Sequence, residues 1–244
     1  MKRLHNLSIR VKVAAILAIV FVGYTTFEQV VDRTSIRRAM QHYENEQAIK
    51  DLQRSEQAIR REMFHLTVFT GDWAAWDDTY EFVETLDAEY IESNFVLETF
   101  HDNGINMICL FDREGELVWG EAYDVFDSEP SDLEPFLVFP PTLAENANGV
   151  PESRSGLVLT SMGPMLLACH PILTSENEGP YRGLMAMARL LTPAALENLR
   201  RQTRVDFRLH PLETLSQAQT AALRHAVDTG EPLIDASDHE ILDR

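Results

Sequence analysis

The chain has 244 residues and a mass of 27.8 kDa, with 21 Lys plus Arg against 39 Asp plus Glu, a formal charge of −18 and a pI near 4.7. That balance excludes a basic nucleic-acid binder, and 45% hydrophobic residues with only 11 Gly and 11 Pro exclude a disordered or fibrous chain. Cys109 and Cys169 stand far apart with no CxxC and no Cys-His spacing, which excludes a zinc ribbon or a disulfide scaffold and leaves one disulfide at most.

Charge is unevenly placed. Residues 1–12 carry Lys2, Arg3, Arg10 and Lys12 and no acid, so a basic tip precedes an acidic body. Between them Val13 to Phe27 is uncharged and mostly apolar, and it reaches a spanning length when Lys12 and Glu28 snorkel to the interfaces. Gly23-Tyr24-Thr25 is a poor small-x-small cleavage site, so residues 13–29 read as an uncleaved anchor rather than a signal peptide. The bias of Lys and Arg toward the cytoplasm keeps residues 1–12 inside and exports everything after about residue 30. In a Gram-negative cell this is a single-pass inner-membrane protein with a periplasmic body.

No glycine or proline occurs between Gly23 and Gly71, which predicts one long stalk helix over residues 30–70. Ile49, Leu52, Ile59, Met63 and Leu66 follow an a/d-like seam interrupted by Asn45 and Glu56. Two readings fit that seam: a stalk that pairs two copies into a homodimer, and an amphipathic helix laid against its own domain. The body, residues 71–244, begins with GDWAAWDDTYEFVETLDAEYIESN. On a helix Trp73, Trp76, Asp77 and Tyr80 share one face, a pattern that suits an aromatic-lined pocket and equally suits core indoles with capping aspartates.

From Ile105 the pattern changes to short strands. Ile105 to Phe111 and Glu116 to Ala122 form a hairpin about a turn at Asp112 to Gly115, and a proline-rich connection, 130–155, then crosses one face. GLVLTSMGPMLLACHPIL gives two strands about Ser161 to Pro164, and RGLMAMARLL gives a third. Thr192 caps a helix whose first residue is Pro193, Val205 to Leu209 reads as a further strand, and Ser216 to Val227 as a further helix. The fold class is therefore α+β: a membrane helix, a stalk helix, and a PAS/Cache-like domain with a mainly antiparallel sheet.

The segment DWAAWDDTYEFV, followed by Tyr90, Ile91 and Asn94, then FDREGELVWG, resembles the CHASE4 extracellular sensor domain of prokaryotic transmembrane receptors. HPILTS, the Gly179-Pro180 turn and the Arg182-Gly183 step are similar to the same family, and the resemblance covers about Ser35 to Leu212. It implies a small-molecule sensor, usually held between two membrane helices and joined to a diguanylate cyclase, phosphodiesterase or histidine kinase. No second apolar run and no GGDEF, EAL or kinase motif follows Leu86, so the domain's C-terminal end is expected to be incomplete and the output absent from this chain.

Within that reading the ligand contacts are Trp76, Asp77, Asp78 and Tyr80 first, with Trp73 and Asn94 beside them. Fastening the helix to the sheet is the competing role for the aspartates, and it falls to Asp78 first. Arg189 is expected to bind an anion in the pocket or to pair with one of those aspartates. His170 is expected to be a satisfied core histidine, and Cys109 and Cys169 to be buried and unpaired unless their strands are neighbours. No catalytic residue, metal or cofactor is expected: the eight histidines are scattered singly, and G-x-S-x-G, H-E-x-x-H, P-loop and G-x-G-x-x-G motifs are absent. The alternatives are a non-catalytic interaction or dimerisation protein that modulates a full receptor and, further behind, a periplasmic hydrolase.

Overall fold

The computed structural model describes residues 8–125, 127–138, 151–211, 214–229, 233–235 and 240–242. Lys2 and Arg3 of the basic tip and residues 139–150 of the long connection lie outside these ranges. The chain divides into two compact units, residues 1–52 with 217–244 and residues 53–216.

Helix α1, Ile9–Ala74, is one element of 66 residues, as a stretch without helix breakers requires. Its first stretch, Ile9–Glu28, is long and apolar enough to cross a membrane, and none of it is buried in the protein. Thr25 and Thr26 return their hydroxyls to the Val22 carbonyl at 3.1 and 2.8 Å, which leaves no polar side-chain group unpaired at that level of an apolar helix. The helix passes through Gly71, where the sequence suggested its end, and stops three residues later.

In the unit 53–216, α1 lies against its own domain. Ser55, Ala58, Leu66, Thr70 and Ala74 recur at helical spacing and are buried, while Ile59, Met63 and Phe69 pack on the same core. For this stretch the amphipathic reading of the seam holds. Three short helices follow: α2 Asp77–Thr85, α3 Ala88–Asn94 and α4 Leu97–Asn103. Leu86 and Gly104 end the first and last of these in the left-handed region, at φ 55° and 61°.

The sheet is built from β1 Met107–Asp112, β2 Leu117–Asp124, β3 Glu129–Ser131, β4 Arg154–Thr160, β5 Gly163–Ile172 and β6 Gly183–Leu190, all antiparallel in the order β3-β2-β1-β6-β5-β4. Leaving β3 aside, this is the PAS order. β1, β5 and β6 read as nearly continuous apolar runs because both faces of the sheet are covered. One face carries Ile108, Leu110, Leu166, Ala168, Met185 and Met187 against α1 and the short helices. The other carries Met107, Cys109, Cys169, Leu184 and Ala186, covered by Leu133 and Phe136. Edge strand β4 instead leaves Leu157 and Leu159 about half exposed.

Register settles the cysteines. Cys109 and Cys169 both stand opposite Ala186, from the two sides of β6, so their strands are not neighbours. Two strand spacings separate them by roughly 10 Å, beyond the reach of a disulfide. Burial pushes both thiols up to about 12. Gly183, at the Arg182-Gly183 step, sits where a Cβ would collide with the Phe111 carbonyl oxygen.

After β6, α5 spans Pro193–Thr203, and the Thr192 hydroxyl accepts from the Ala195 amide at 3.2 Å, the cap the sequence called for. Residues 205–209, expected as a strand, form no strand. Instead Phe207 and Leu209 pack on the core, and the Phe207 carbonyl accepts from Arg200 Nε at 2.8 Å. In the other unit are α6, Gln217–Thr229, and an antiparallel pair, β7 Leu233–Asp235 with β8 Glu240–Leu242.

Candidate functional site

The helix break after α1 reshapes the tryptophan and aspartate segment. Trp76 is extended, at φ −93° and ψ 136°, and α2 starts at Asp77. Trp73 therefore lies in the last turn of one helix while Asp77 and Tyr80 belong to the next, and the single-helix face expected from their spacing does not form. The break has a local cause: Asp77 and Asp78 occupy the first turn of α2, where free amide N–H groups and the helix dipole favour carboxylates. The indoles still meet, with ring centroids 5.3 Å apart. Trp73 also stacks on Phe95 at 5.2 Å, and Phe95 on Trp119 at 4.7 Å, while Trp76 at the end of this row is 44% exposed.

Asp77, Tyr80 and Arg182 form a clasp between α2 and the β5–β6 connection. Asp77 Oδ1 accepts from the Ser175 amide at 2.9 Å and Oδ2 from the Ser175 hydroxyl at 2.8 Å. The amide bond first, then the hydroxyl bond, lowers its pKa below the usual 3.8. The Tyr80 hydroxyl donates to the Pro180 carbonyl at 2.9 Å. Arg182 lies 3.8 Å over the Tyr80 ring, donates to the Tyr80 carbonyl at 2.9 Å, and pairs with Glu84 at 3.0 Å. The turn that receives these groups is itself braced, since the Thr174 hydroxyl donates to the Glu178 carbonyl and accepts from its amide. Gly179, at φ 88°, leaves room for the Tyr80 hydroxyl, which an added Cβ would meet at 3.4 Å. The fastening aspartate is thus Asp77, not Asp78.

Arg189 serves a second junction. It pairs with Glu62 of α1 and donates to the carbonyls of Gly104 at 2.9 Å and Asn103 at 2.6 Å. Neither Asp77 nor Asp78 is its partner. Beside it, Asn106 accepts from the Leu190 amide and donates to the Tyr123 carbonyl, so β1, β2 and β6 are tied at the same end.

Between α2 and α3 is an open surface groove, a cavity of about 490 Å³. Phe82 and Tyr90 line it together with the carboxylates of Asp78, Glu81, Asp87 and Glu89, and with Asn94. The two rings stack at 4.9 Å, and the Tyr90 hydroxyl bonds Thr79 Oγ1 at 2.5 Å; burial pushes that phenol up to about 12. Asn94 donates to the Tyr90 carbonyl one turn back. Of the seven residues singled out in the sequence, Asp78 and Asn94 line this cavity. Trp73, Trp76, Asp77, Tyr80 and Arg189 do not. Sequence reading missed Arg182, Ser175 and Glu62; the Arg182-Gly183 step was visible as a motif, but its partner on α2 was not. Among the described residues no group of three or more His, Cys, Asp or Glu is placed to hold a metal.

The chain thus builds a PAS-like antiparallel sheet with α1 and the short helices packed on one face. The CHASE4 domain model matches residues 58–210, and the chain belongs to that family. A similar curated protein is the methanogenesis regulatory histidine kinase FilI of Methanothrix harundinacea (strain 6Ac), 27% identical over 156 residues. That match covers 62% of this chain and 17% of that protein, so the chain spans a small part of its relative's length. Solved structures similar to it include the extracellular domain of the putative histidine kinase vpHK1S-Z8, at 13% identity and a TM-score of 0.42 over 64% of this chain and 59% of that one. Another is the domain of a putative sensory box/GGDEF family protein from Vibrio parahaemolyticus, at 12% identity and a TM-score of 0.41 over 61% and 60%.

Proposed function

We propose that this chain is the sensory input of a membrane-anchored signalling receptor. Residues 13–29 anchor it in the cell inner membrane with the basic tip inside, and the domain from about residue 30 onward faces the periplasm or the exterior. It binds a small molecule, and α1 carries the consequence to an output of the histidine kinase, diguanylate cyclase or phosphodiesterase type. The supporting observation is the continuity of α1, one helix that begins in the exposed apolar stretch Ile9–Glu28 and ends against the sheet at Ala74. Paired copies joined through the stalk before it meets its own domain, residues 30–52, place two such helices side by side. Chemistry in this chain is not part of the reading, and neither is nucleic acid.

The ligand contacts we assign are Asp78 and Asn94, which face the α2–α3 cavity. Trp73, Trp76, Asp77, Tyr80 and Arg189 act at one remove, holding the two helices and the sheet that bound it. A thermal-shift screen of the full chain in lipid nanodiscs, against amino acids, organic acids, polyamines, nucleobases and divalent metals, tests the assignment. A compound that raises the melting temperature of the parent and not of an Asp78→Asn, Asn94→Ala variant supports it. A screen without any shift favours the non-catalytic interaction protein instead.

A further inference from the structure

The sensory reading does not use the junction between β5 and the last turn of α1. His170, on β5, faces that turn. An added Cβ on Gly71 would lie 3.0 Å from its Cε1 and 3.1 Å from its Nδ1, so the helix backbone and the imidazole ring are in direct contact. A helix-interior glycine is worth about 1 kcal/mol less than alanine, and this close approach is its physical reason here. The His170 Nε2 atom is buried and has no hydrogen-bond partner among the described residues. Just beyond it the Leu173 amide donates to the Ala74 carbonyl at 3.1 Å, a bond between the sheet and the end of α1 itself.

Few charged groups face the ring. Asp72, on the same turn of α1, is exposed and is the carboxylate whose field acts on it. From β6 the residue in register is Met185. From β4, Arg154 stands opposite Cys169 and so belongs to the other face of the sheet. Asp77, at the start of α2, is engaged by Ser175. Desolvation holds the histidine below its ordinary pKa of 6.5, and Asp72 opposes this only in part. Neutral imidazole fits the contact, whereas an imidazolium places an N–H donor at Nε2, where no acceptor stands among the described residues.

We infer that His170 is a proton-responsive contact between the sheet and the last turn of α1, and that acidification of the surrounding medium loosens that turn. The sign follows from linkage. A histidine whose pKa is lowered in the closed form binds more protons in the open form, so closure is complete above about pH 6.5 and weakens as pH falls below it. The device sits where α1 meets the domain, and so acts on the helix that carries the signal, whether or not a ligand is bound.

Hydrogen exchange of the full chain in nanodiscs tests this, followed at the Leu173 amide and corrected for the pH dependence of intrinsic exchange. Between pH 7.5 and 5.5 protection in the parent is expected to fall, with about tenfold as the ceiling set by a histidine that titrates normally once the contact opens. His170→Gln, with His170→Phe where glutamine fails to fold, is expected to abolish the change. Gly71→Ala is expected to lower protection already at pH 7.5 and to shrink the further loss on acidification. An equal loss in the parent and in the His170 variants, no loss in the parent, or a full parental response in Gly71→Ala overturns the inference.

Discussion

The two sides of α2 differ in how their polar groups are engaged. On the side facing the β5–β6 connection, Asp77, Tyr80 and Arg182 are bound to Ser175, Pro180 and Glu84. On the side facing α3, Asp78, Glu81, Asp87 and Glu89 surround a cavity. Asp77 and Asp78 are adjacent in sequence, yet one is a fastener and the other faces the cavity. Neighbouring residues on a helix diverge by about 100 degrees, which is why one motif serves two purposes. The most distinctive groups of a conspicuous motif can thus be those that hold the structure together.

Changes at the holding side are expected to cost stability in a definite order. Phe95→Ala, which removes the ring shared by Trp73, Tyr90 and Trp119, should destabilise most, by about 3 to 5 kcal/mol in chemical denaturation. Arg189→Met comes next, at about 3 kcal/mol, because it strands the largely buried Glu62 carboxylate and two carbonyls. Asp77→Ala should lower the melting temperature by less, since the carboxylate is exposed. Its contribution is present above the ordinary carboxyl pKa of 3.8 and disappears as pH falls through the lowered native value, so parent and variant should converge in acid. Thr192→Ala, the loss of one helix cap outside the comparison, should cost about 1 kcal/mol. Cys109 and Cys169 should resist alkylation in the native protein and leave its mobility on non-reducing gels unchanged after oxidation.

Much of the architecture was legible in the sequence. Period-2 and continuous apolar runs located all five long strands, the missing helix breakers gave α1, and the Thr192-Pro193 pair marked the start of α5. What escaped depended on tertiary contact. Gly71 looked like a helix end, and only the His170 ring above it explains a glycine inside a continuing helix. The Trp73, Trp76, Asp77, Tyr80 face assumed one helical phase, and the extended Trp76 broke it. Arg189 found Glu62, a partner 127 residues away that no spacing rule connects to it. His170, expected to be satisfied, is half-buried and its Nε2 is left without a partner among the described residues.

The proposed binding site requires that α2 hold the structure through Asp77 and meet the ligand through its other side, at Asp78. Ligand-induced melting shifts, measured on the full chain in nanodiscs for the parent, Asp77→Ala, and the Asp78→Asn, Asn94→Ala pair, test that division most directly. The predicted result is a lower starting temperature but an intact ligand shift in Asp77→Ala, and a near-parental starting temperature with no shift in the cavity pair. A ligand shift that disappears with Asp77 and survives loss of Asp78 and Asn94 would contradict it, and would move the binding site to the clasp.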